Sequence, residues 1–146
     1  MLGGARFAVR FVTFLGHVVL ALCRARHVSA GISEVDEAVG LFGHVEERWL
    51  IADLLRSKGE LLLSQKEPGA VQHAEKLFHE ALDLARKHGA LAWELRAATS
   101  LAMLFRDQHR AIEARALLQP VFDQFTEGFD TEDLKRAKAL LDSQSS

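Results

Sequence analysis

A chain of 146 residues is long enough for one domain with its own core or for a short solenoid, and 49% apolar with 26% charged residues is an ordinary globular composition. The net charge of −2 gives no electrostatic reason to expect nucleic acid or an acidic membrane surface as a partner. Cys23, the single cysteine, excludes an internal disulfide and fits a reducing, cytoplasmic compartment.

The first predicted element is a helix over residues 6–26. Within it Phe11 to Cys23, FVTFLGHVVLALC, follows Arg6 and Arg10. About 13 mostly apolar residues behind a basic flank match a signal-peptide core in length. They fall short of the roughly 20 that a membrane span needs. His17 interrupts the run, no small-x-small cleavage site follows, and Leu22 stands where a lipoprotein box carries a small residue. The segment is therefore read as a buried helix of a first repeat, with export or membrane tethering as the alternative. It is apolar nearly all round, from Phe7 and Val9 through Phe14, Leu15 and Val18. Such a helix needs partners on both sides. The expectation is that the chain is a piece of a longer solenoid or that it self-associates through this helix. Residues 1–12 are left unassigned.

A second helix is predicted over about 29–43. From residue 46 onward Ala, Leu, Glu, Arg and Lys dominate, all strong helix formers. The third helix runs from Glu46 to Ser64, and QKEPG at 65–69 breaks the chain, because Pro68 disfavours helix at Glu67. The fourth, Ala70 to Lys87, puts Ala74, Leu77, Phe78, Ala81, Leu82 and Ala85 on one stripe and ends at His88 and Gly89. The fifth, Ala90 to Gln108, does the same with Leu91, Leu95, Ala98, Leu101, Ala102 and Phe105. The sixth, Ala111 to Thr126, carries Ala114, Leu118, Val121, Phe122 and Phe125, with a kink expected near Leu117 from Pro120. A loop at 128–130 leads to a last helix over 131–142, with Asp130 or Thr131 as N-cap and Leu134, Ala137, Leu140 and Leu141 inward. Residues 143–146 are expected to fray.

One spacing recurs. Ala74-x-x-x-Phe78-x-x-Ala81-Leu82 returns about 40 residues on as Ala114, Leu118 and Val121, and about 43 earlier as Gly31, Val35, Ala38 and Val39. A small residue lets a neighbouring helix approach, and the large residue four positions on fills the groove. Repetition at this interval predicts stacked helical hairpins, at about 6–43, 46–88 and 90–126, closed by a half-polar capping helix. Trp49 and Trp93 each sit near the start of a hairpin and are expected to pack between repeats.

Motifs that carry chemistry are missing. No phosphate loop, Gly-x-Gly-x-x-Gly or Gly-x-Ser-x-Gly element occurs. His17, His27, His44, His73, His79, His88 and His109 are scattered, with His73 and His79 on different faces of one helix. Asp36/Glu37, Glu46/Glu47 and Glu132/Asp133 are explained by helix-dipole complementarity and solubility. Arg24/Arg26 and Lys135/Arg136/Lys138 read as solvated surface. No catalytic residue, metal site or cofactor is assigned.

The residues resemble tetratricopeptide repeats. In the hairpin at 90–126, Leu101-Ala102 stands for the family's Leu-Gly, Phe105 for its helix-A aromatic, and Ala114, Leu118 and Val121 for helix B. In the hairpin at 46–88, Gly59, Leu62, Ala74, Phe78 and Ala81 fit. The interval exceeds the usual 34 or so, as in the longer-helix variant found in large bacterial signalling proteins. Residues 46–142 are further similar to the C-terminal repeats of bacterial adenylate cyclase-like and transcriptional-activator-like ATPases, most specifically in WELRAATSLA and FTEGFDTEDLKRAKALL. The cyclase and ATPase parts of those proteins are lacking here. The resemblance therefore implies an all-α, right-handed superhelical module that binds protein or peptide in signal transduction, not an enzyme. It also implies a groove lined by Asp53, Arg56, Ser57 and Glu60 and by Arg96, Thr99, Ser100, Met103 and Arg106. Arg56 and Arg106 would receive acidic side chains or a terminal carboxylate. The alternatives are packing on the rest of its own protein and service as an accessory subunit of a separately encoded cyclase or ATPase.

Overall fold

Five helices follow one another, α1 (Trp49–Gln65), α2 (Ala70–Lys87), α3 (Leu91–Asp107), α4 (Ala111–Phe122) and α5 (Glu132–Ser143), and no strand occurs among the described residues. The computed structural model describes residues 49–143, with Trp49 and Leu50 as backbone only, together with 32, 33 and 35–37. The helix expected over 6–26, the segment 1–12, residue 34 and the outer parts of 29–43, the first three residues of the helix expected from Glu46, and residues 144–146 lie outside the described residues. Residues 32, 33 and 35–37 are helical, Val35 is fully buried, and Asp36 accepts a bond from Lys58 Nζ on α1 at 2.5 Å.

Short connections fold each helix back on the one before it. α1 packs on α2, α2 on α3, α3 on α4 and α4 on α5, and α3 also meets α1 and α5. The predicted stripes form the core. Ala74, Phe78, Ala81, Leu82 and Ala85 are buried, as are Ala114, Leu118 and Val121 and all four residues expected on α5. Leu77 and Leu91 are only partly covered. α3 lies at the centre and is buried beyond one stripe, with Ala97, Leu104, Thr99 and Ser100 also inside. That is the physical result of neighbours on several sides.

The helix ends explain two departures from expectation. α4 runs through Pro120 but stops at Phe122 rather than at Thr126. Beyond it Gln124 N–H donates to Val121 O and Phe125 N–H to Phe122 O, at 3.2 and 3.1 Å. These tightened turns satisfy the last carbonyls without further α-helix. Before α5, Thr131 is the capping residue, since its carbonyl accepts Lys135 N–H at 3.0 Å. Its hydroxyl turns back to donate to Gly128 O at 2.7 Å. Ser143 belongs to α5, and its hydroxyl donates to Leu140 O at 2.7 Å.

Candidate functional site

The first helices of the two hairpins, α1 and α3, and the last helix, α5, are tied side by side through polar side chains. Arg56, about two turns into α1, donates through Nε to Asp53 Oδ1 at 2.9 Å and through Nη1 to Glu60 Oε1 at 2.8 Å. The same Glu60 oxygen accepts Ser100 Oγ of α3 at 3.0 Å, 40 residues on. Arg96 of α3 donates through Nε to Asp133 Oδ2 of α5 at 2.8 Å, 37 residues on. Its Nη1 stands 3.7 Å from Asp53 Oδ2 of α1, and its guanidinium carbon 6.0 Å from the Trp93 ring. Asp53 and Arg96 thus link three helices that are not adjacent in sequence.

Seven of the nine residues expected in the groove have an assigned bond or ion pair. Arg56 is committed internally: its side chain is only 16% exposed between two carboxylates. Burial works against its charge, attraction to Asp53 and Glu60 outweighs this, and its pKa is raised. A ligand carboxylate would have to displace one of these partners. Thr99 is buried, and its hydroxyl donates to Leu95 O at 2.7 Å, so it stabilises the helix rather than facing a ligand. Met103 is partly buried against the core and Ser57 is half-buried. Arg106 is exposed, and its ion pair is with the adjacent Asp107 at 3.4 Å. Asp133 completes the face and was not among the expected residues. In the sequence it reads as a helix-dipole acid, because nothing local announces a partner on another helix.

A second charged cluster joins α2 to the α3–α4 connection. Arg110 is paired through Nε and Nη2 with both oxygens of Glu113, at 2.9 and 2.7 Å. Its Nη1 reaches Glu75 Oε1 at 3.1 Å and Gln108 Oε1 at 2.9 Å. The guanidinium lies 3.9 Å above the Phe105 ring. Hydrogen bonds to Glu113, then to Glu75, raise the Arg110 pKa, and the bond from Arg110 holds Glu113 below the ordinary glutamate value of 4.5. With all three guanidinium nitrogens engaged, the cluster is a clamp.

No three His, Cys, Asp or Glu side chains come together as a metal site among the described residues, and no described helix is long and apolar enough to cross a membrane. No family model, no curated protein and no solved structure matches the chain.

Proposed function

We propose that the chain is a non-catalytic helical-repeat interaction module, a tetratricopeptide-like right-handed superhelix, whose α1/α3 face takes an acidic segment of a protein partner. One observation carries the reading. Along the α3 stripe the accessible side chains are Arg96, Met103 and Arg106, a half-exposed guanidinium near each end with no carboxylate among them, while Thr99 and Ser100 between them are buried. An extended chain lying along α3 would meet two cations spaced by an apolar methionine, a pattern that favours carboxylates with a small apolar side chain between them. The cross-helix bonds at separations of 37 and 40 residues support a repeat of that interval. The resemblance of residues 46–142 to the C-terminal repeats of bacterial adenylate cyclase-like and transcriptional-activator-like ATPases supports a regulatory setting in the cytoplasm.

Site-specific photo-crosslinking in the producing cell tests the face. A crosslinking amino acid at Met103 should capture a partner polypeptide, Arg106→Glu should abolish the capture, and the same probe at Lys76 on α2 should capture none. Equal capture from positions 76 and 103, or indifference to Arg106→Glu, sinks the reading.

A further inference from the structure

We propose that α5 is a built-in competitor for the α3 stripe: Asp133 holds, on Arg96, the place that a partner's carboxylate takes, an inference that rests on the function proposed above. Arg96 stands on α3 with Asp53 of α1 on one side and Asp133 of α5 on the other. Its hydrogen bond goes to Asp133 at 2.8 Å, whereas Asp53 at 3.7 Å is beyond hydrogen-bond reach and is already engaged by Arg56. The chain therefore already seats one carboxylate on the stripe.

That seat is suited to exchange. The Arg96 and Asp133 side chains are 41% and 40% exposed, so water screens the pair and an incoming carboxylate reaches it from solvent. Asp133 lies in the first turn of α5, directly after the connection 123–131, the longest between any two of the five helices. The rest of α5 is anchored separately, by the buried Leu134, Ala137, Leu140 and Leu141. Losing the Arg96 bond loosens the first turn while this apolar anchor keeps the helix in place. At the far end of the stripe, the ion-pair partner of Arg106 among the described residues is its exposed neighbour Asp107 at 3.4 Å, so the two cations differ: one is held by another helix and the other only by the next residue. A partner engages Arg106 first and completes its binding by displacing Asp133. Occupation of the stripe is thereby coupled to the seating of the N-terminal turn of α5.

The test uses the full chain and a fluorescein-labelled oligoglutamate peptide, read by fluorescence anisotropy at low salt. Asp133→Asn should bind the peptide about two- to fivefold more tightly than the wild type, the range set by a half-exposed ion pair. Arg96→Gln in the same background should cancel the gain. Amide exchange at residues 133–136 of the wild type should speed up at saturating peptide. Circular dichroism checks that each variant is folded, and Asp133→Ser repeats the measurement if Asp133→Asn is not. Equal or weaker binding by Asp133→Asn, or a gain that survives Arg96→Gln, overturns the competition. A peptide that binds both forms equally and still needs Arg106 leaves the proposed face standing and overturns the competition alone. A peptide that binds neither folded form overturns both.

Discussion

The ring of Phe78 on α2 occupies the space into which a side chain at Gly59 on α1 would project: a Cβ there would stand 2.6 Å from Phe78 Cε1. Phe78 is 1% exposed, so its ring has nowhere to swing. Two effects of Gly59→Ala oppose each other. Alanine gains about 1 kcal/mol over glycine in a helix interior. Overpacking a filled core costs about 1–3 kcal/mol. The clash outweighs the gain over most of that range, and Gly59→Ala should destabilise the chain by up to about 2 kcal/mol in urea unfolding. Adding Phe78→Leu should recover part of that loss, and a higher urea midpoint for Gly59→Ala alone would refute the close approach.

Gly89 and His109 occupy equivalent places in two turns. After α2, Ala90 N–H donates to Ala85 O and Gly89 N–H to Arg86 O; after α3, Arg110 N–H donates to Phe105 O and His109 N–H to Arg106 O. Both are Schellman ends, which place one residue in the left-handed region, Gly89 at φ 64° and His109 at φ 62°. A side chain there is strained by about 1–2 kcal/mol, partly offset by the extra unfolded-state freedom of glycine. His109→Gly should therefore stabilise the chain by about 0.5–1 kcal/mol, and Gly89→Ala should destabilise it by a similar amount. Thermal unfolding of both variants decides the matter, since shifts of the same sign would contradict the shared geometry.

Glu113 should contribute to the acid limb of stability. Its folded pKa lies below the ordinary 4.5, so its bond to Arg110 is at full strength above that value and is lost as pH falls through the lower folded one. The stability gap between wild type and Glu113→Gln should be constant above about pH 5.5 and close in acid. A gap of the same size at pH 3 and pH 7 would show that charge is not what holds this contact.

Much of the helix order was legible in the sequence because burial here follows the 3.6-residue period so closely. Ala74, Phe78 and Ala81, and Ala114, Leu118 and Val121, announce one covered stripe each, and all six are covered. QKEPG and His88-Gly89 mark real breaks because proline and left-handed glycine act locally. The end of α4 was missed because the turns after Phe122 depend on where the chain must go next, not on the propensity of Asp123 to Thr126. The bonds between α1 and α3 were not legible. Nothing near Arg56 in the sequence says which of its neighbours it will hold, and the link from Arg96 to Asp133 spans 37 residues.

The pattern of helix neighbours also bears on how the chain folds. Among the described residues each helix meets only those one or two places along the chain, and α1 does not touch α5. Every contact that forms thus closes a short loop and meets a small entropic cost. Such a topology belongs to the fast end of folding rates, from microseconds to milliseconds or so. It also lets structure spread outward from any stable pair of helices. With α3 touching all four of the others, the sequence around Leu101 is where that spread has the most neighbours to recruit.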